Sequence, residues 1–140
     1  MLPGRQRSMD KDVVLDRDDA GEVYAGLPWQ VQHYCVDAFD WGYIGYAPAE
    51  LALNILNWSL PVGVDGESGI QCEHGECSAI AWRLHRSFMA EFLVRVPHDG
   101  GCLRESDIRR WVLGYLVGTG DKEMFSIPRP GDGPANFRRR

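Results

Sequence analysis

No stretch of this 140-residue chain approaches the ~18 consecutive apolar residues that read as a bilayer-spanning helix. The opening Met-Leu-Pro-Gly-Arg-Gln-Arg-Ser also lacks the apolar centre of a secretory signal. A membrane-spanning protein is therefore not expected, and the expected compartment is the cytoplasm. Basic residues are in deficit, 15 Lys and Arg against 20 Asp and Glu, for a formal net charge of −5. Non-specific nucleic-acid binding draws on clustered cations that release counterions, so nucleic acid is not expected as a direct non-specific ligand. The carboxylates are too scattered for mimicry of nucleic acid.

Signatures of chemistry are missing too. There is no Gly-x-Ser-x-Gly nucleophile elbow and no Gly-Lys-[Ser/Thr] phosphate loop. His33, Cys35 and Asp37 are close in the chain, but alternation sets His33 and Cys35 on one face of a strand with no oxyanion donor indicated. A non-enzymatic protein is the expectation. No internal repeat is visible. The four cysteines, in a cytosolic setting, read as reduced thiols or metal ligands rather than as two disulfides.

What is present is enough for one folded domain: 44% hydrophobic residues, five tryptophans, and a length within the usual ~100–200 residues per domain. The chain is organised around Asp40 to Leu60, a glycine-bearing turn followed by an amphipathic helix. Pro48 fits the first helical position, where its missing N–H costs nothing. Leu51, Ala52, Leu53, Ile55, Leu56 and Leu60 make a wide apolar stripe. Glu50, Asn54 and Asn57 follow at i, i+4 and i+7 on the opposite side, expected to face water.

Around this helix the chain divides into three parts: a charged, flexible leader over 1–20, a globular domain over 21–118, and a Pro/Gly-rich tail over 119–140. Strands are expected from Glu22 to Leu27 and, by alternation, from Gln30 to Asp37. Residues 61–75, with four glycines, read as a long loop. A second helix runs from the N-cap Ser78 to Met89, a strand from Glu91 to Pro97, and a turn follows at His98-Asp99-Gly100-Gly101. A third helix begins near Arg104 to Ser106 and ends about Val117, with Gly118 placed to stop it. The order is ββααβα, and the expected fold is α+β: a small, three-stranded, mainly antiparallel sheet with three helices packed on one face.

Certain stretches also carry a resemblance: Tyr24-Ala25-Gly26, the run from Phe39 to Tyr43, Gly45 to Leu56, Ala81 to Phe88, and Ile108 to Trp111. Together they resemble the domain of unknown function 6166, a family of small uncharacterised domains in bacteria, archaea and their phages. The likeness covers residues 22 to 116, and its most specific part is the Trp-Gly-Tyr-x-Gly-x-x-Pro-x-x-Leu-Ala-Leu-x-Ile-Leu run. The family usually has Gly-Ser-Gly-Pro at the turn where this chain has Gly45-Tyr46-Ala47-Pro48, and the cysteine-bearing loop is an addition. The resemblance implies no activity. It implies an accessory protein of a phage or mobile element, expected to bind a host protein or complex and to inhibit host defence in the manner of an anti-CRISPR protein.

Two places are candidate sites. The first is Cys72-x-His74-x-x-Cys77, whose donors suit a structural zinc, with Cys102, or else His98 or His85, as fourth ligand. The alternatives are unligated thiols and a Cys72–Cys77 disulfide made only on oxidation. The second is the turn at 41–48 leading into a helix N-terminus, where Trp41, Tyr43, Tyr46, Glu50 and Asn54 are the expected partner- or ligand-binding residues. Its free N–H groups and positive dipole end also suit phosphate, so a nucleotide-binding or nucleotide-sequestering domain is the alternative function.

Overall fold

The helix over Tyr46–Ser59 (α1) is enclosed on nearly every side. Only Tyr46, Ala47 and Trp58 along it escape burial. Its apolar stripe packs on a second helix, Ala79–Glu91 (α2), in a core that includes Leu53, Ile55, Leu84, Phe88 and Leu93. The computed structural model describes residues 11–126, with side chains to residue 118. A strand over Val13–Arg17 (β1) pairs antiparallel with Val23–Ala25 (β2) on one side and with Gly100–Leu103 (β5) on the other, giving the sheet order β2-β1-β5. Between them a two-rung hairpin, Ile70–Gln71 (β3) and Glu76–Cys77 (β4), stands apart from the sheet. A third helix, Glu105–Ser126 (α3), follows β5. Among the described residues the fold is α+β with a three-stranded antiparallel sheet and three helices, as expected.

The central strand lies within the expected leader. Val13 and Leu15 are buried while Val14 faces out, so a five-residue alternation among charges suffices to make a strand with one face on the core. The turn to β2 is an Asx-type turn: the Asp18 carboxylate accepts the N–H groups of Ala20 and Glu22, and Gly21 takes a φ of 87°. Residues 1–10 of the leader and 127–140 of the tail lie outside the described residues. The part of the tail before residue 127 continues α3 past Gly118.

Three further expectations are corrected. Gln30 to Asp37 is irregular, with a single bridge from Gln32 to His74. The N–H groups that a strand would give to a neighbour go instead to side chains of α1. Glu91 to Pro97 is not a strand: Phe92 N–H still donates to the Phe88 carbonyl, the two rings stack at 4.6 Å, and a 3-10 turn over Leu93–Arg95 drives Leu93 into the core. The third sheet strand comes instead from the expected turn at Gly100 and Gly101. Gly100 holds a φ of 103°, and a Cβ there would run into the Leu15 carbonyl, so only glycine lets β5 approach β1.

Candidate functional site

Pro48 is the third helical residue of α1, not the first; Gly45 is the N-cap and offers no side-chain acceptor. Position three still lies among the first-turn N–H groups without an intrahelical partner, so the proline is tolerated there. From this start the polar stripe of α1 turns inward, contrary to the expectation that it faces water. Glu50 and Asn54 are fully buried and Asn57 nearly so. Glu50 Oε1 accepts the backbone N–H groups of His33 and Tyr34 at 3.0 and 2.9 Å, and Oε2 accepts Trp29 Nε1–H at 2.9 Å. Asn54 Oδ1 accepts from Gln30 and Val31, and its amide donates to the Val31 and Glu50 carbonyls. Asn57 donates to Gln30 Oε1 and accepts the N–H of Ser78, the N-cap of α2. Buried polar groups must be paired, and here the helix supplies the partners that segment 29–34 lacks. Glu50 and Asn54 therefore hold segment 29–34 from behind and do not lie on the surface.

Of the other expected binding residues, Trp41 is buried and Tyr43 and Tyr46 are exposed at 44% and 42%. Trp41 Nε1–H donates to the carbonyls of Pro97 and His98 at 2.8 and 3.2 Å, and its ring lies under the Arg17 guanidinium at 4.6 Å. Arg17 in turn meets Asp40 at 2.7 Å. Burial works against the Asp40 carboxylate, but hydrogen bonds from Arg17, Trp41 N–H and Tyr43 O–H outweigh it and hold the carboxyl below its ordinary range. These residues, with Gly42, Val96 and His98, line a cleft of about 370 Å³ beside the turn. Burial, then the adjacent Asp40, raises the Tyr43 hydroxyl, so it stays protonated and donates.

Sequence reasoning missed the residues that fix the aromatic rim. Trp29, 37% exposed, is held by Glu50 and packs on Phe39 with ring centroids 4.1 Å apart and the planes tilted by 30°. Tyr46 stacks on Tyr34 at 5.7 Å. Behind them His85 is fully buried, with Nδ1 2.7 Å from the Trp82 carbonyl and Nε2 2.7 Å from the Tyr34 hydroxyl. A carbonyl only accepts, so Nδ1 carries the proton and Nε2 receives the Tyr34 O–H. Burial keeps this imidazole neutral down to about pH 3, and burial likewise raises the Tyr34 hydroxyl. The legible signal was the Trp82–His85 spacing of one helical turn; the Tyr34 end was hidden in a segment that alternates like a strand.

The expected zinc donors separate. Cys72 and Cys77 are buried with their sulfurs 3.7 Å apart. His74 is exposed at the hairpin tip, where its backbone pairs with Gln32, and Cys102 is exposed on β5 opposite Val14. His85 is committed to Tyr34 and Trp82, and His98 is exposed beside Arg17. Among the described residues no group of three or more His, Cys, Asp or Glu side chains is placed to hold a metal ion. No helix among them is long and apolar enough to cross a membrane.

Compared with protein-family models, with curated proteins and with solved structures, the chain matches none. The likeness to the domain of unknown function 6166 thus rests on the chain's own residues alone.

Proposed function

We propose that this chain is a non-enzymatic binding module that grips a partner protein through the aromatic rim of Trp29, Tyr43 and Tyr46 around the start of α1. The observation that carries the reading is that each of these exposed rings is already held in place. Trp29 is fixed by Glu50 and Phe39, Tyr43 by Asp40, and Tyr46 by Tyr34. Tyr and Trp are enriched among residues that dominate binding energy, and a ring immobilised beforehand loses little conformational freedom on docking. The resemblance to a phage-borne family adds the setting: the partner class would be a host protein or complex, such as one of a defence system.

The test is affinity capture from a host lysate with the intact chain and with Tyr43→Ala and Tyr46→Ala, followed by the mass of the purified complex. A stoichiometric partner retained by the intact chain and lost by variants of unchanged unfolding midpoint supports the reading. Equal capture by all three chains, or none, overturns it. A second reading has one observation in its favour, the exposed Tyr46 ring beside an uncapped helix start, which suits a stacked base with its phosphate. Thermal-shift screening against nucleotides and cyclic oligonucleotides separates the two, because a ligand at a hundred times its Kd adds about 2.7 kcal/mol to stability.

A further inference from the structure

Four cysteines divide into two kinds. Cys35 and Cys102 are exposed, whereas Cys72 and Cys77 are buried against each other with sulfurs 3.7 Å apart. The contact is built by the hairpin. Ile70 pairs with Cys77 and Gln71 with Glu76, and Cys72 N–H donates to the Gly75 carbonyl at 3.0 Å, which brings the two sulfurs onto one side. Gly75 fixes the tip, with a φ of 89° and the Gln30 carbonyl so close that a Cβ would sit 2.6 Å from it. The tip is tied to segment 29–34 through the paired backbones of Gln32 and His74, and Cys77 directly precedes the N-cap Ser78, whose N–H is held by Asn57.

We propose that Cys72 and Cys77 are a reversible disulfide site, a redox-closed staple that fastens the β3–β4 hairpin between segment 29–34 and the start of α2. The site is separate from the aromatic rim and does not depend on what that rim binds. The oxidant class is a low-molecular-weight disulfide. Cys72, 7% exposed against none for Cys77, is the sulfur that an outside reagent reaches first. Its thiolate attacks the small disulfide, forming a mixed disulfide and releasing one small thiol. The Cys77 thiolate then attacks the Cys72 sulfur and releases the second small thiol. One S–S bond replaces another, the two cysteines lose two electrons and two protons, and the two released thiols carry both. Burial raises both protein thiols above their ordinary range, so thiolate is scarce and closure is slow at neutral pH and faster in base.

The experiment treats the folded Cys35→Ser/Cys102→Ser chain with oxidised glutathione, alkylates the remaining thiols, and maps the 72–77 peptide by mass. The expected result is loss of both alkylatable thiols and of the mass of two hydrogens, at a rate that climbs with pH. The thermal midpoint should rise by on the order of 5 °C and fall back on reduction. Persistence of both thiols, arrest at the mixed disulfide, linkage between molecules, or a lowered midpoint each overturns the proposal. So does a metal ion retained on the purified chain that must be stripped before the thiols react. If the double variant does not fold, the same mapping on the unaltered chain decides, since a Cys72–Cys77 linkage must appear there as well.

Discussion

Glu50 is fully buried with three N–H donors facing it, so its removal takes the acceptor from all three. Glu50→Ala is expected to cost roughly 4 kcal/mol in urea unfolding. Glu50→Gln, which keeps the shape and one carbonyl for the backbone pair but turns an amide toward Trp29, should cost roughly 1.5 kcal/mol. Equal costs would show that the carboxylate does not clamp the segment. His85 contributes to the acid side of the stability curve. Its folded value, about 3, lies below the ordinary 6.5, so the unfolded chain binds the extra proton between those limits. This contribution is complete above pH 6.5 and is lost as pH falls towards 3. His85→Gln should flatten the dependence of unfolding free energy on pH between about 4 and 6 by close to one proton, read from denaturant midpoints across that range. The i, i+4, i+7 spacing of Glu50, Asn54 and Asn57 was legible as one stripe. Its direction was not, because such residues usually face water and only the unpaired donors of a distant segment turn them inward.

The two glycines of β5 offer a controlled comparison. Gly100→Ala places a methyl against the Leu15 carbonyl at a φ that L-residues avoid, with an expected cost of about 3 kcal/mol or more. Gly101→Ala meets nothing within 4 Å and should stay within about 0.5 kcal/mol of the parent. Thermal midpoints of the two variants check this, and similar losses would contradict the close approach of the strands. The helices were legible because their periodic faces and the Ser78 cap are local signals; Ser78 Oγ does accept the Ala81 N–H. The strands were not. β5 reads Gly-Gly-Cys-Leu, with no alternation to detect, and the alternating run after Glu91 was claimed by the stacking of Phe88 on Phe92. Trp41 and Tyr43 were legible as neighbours at the turn and do line one cleft there, but Arg17, the cation that meets Asp40 beside them, comes from a stretch that reads as a leader.

Because β1 is the middle strand, removal of residues 1–20 should unfold the protein, not trim it. β2 and β5 have no contact in the sheet except through β1, and its loss uncovers the buried side of the core. Circular dichroism and amide dispersion of the truncated chain check this; a native-like spectrum would refute it. The fold class was readable because the balance of helical and extended segments survives errors in individual strands. The sheet's membership depends on pairings between distant parts of the chain, which local pattern does not encode. That arrangement has a consequence for synthesis. On a ribosome, β1 can fold back on β2 early, but Val13 must wait for Leu103 before its rung can close, so the growing chain carries one unzipped, sticky edge of that ribbon for most of translation.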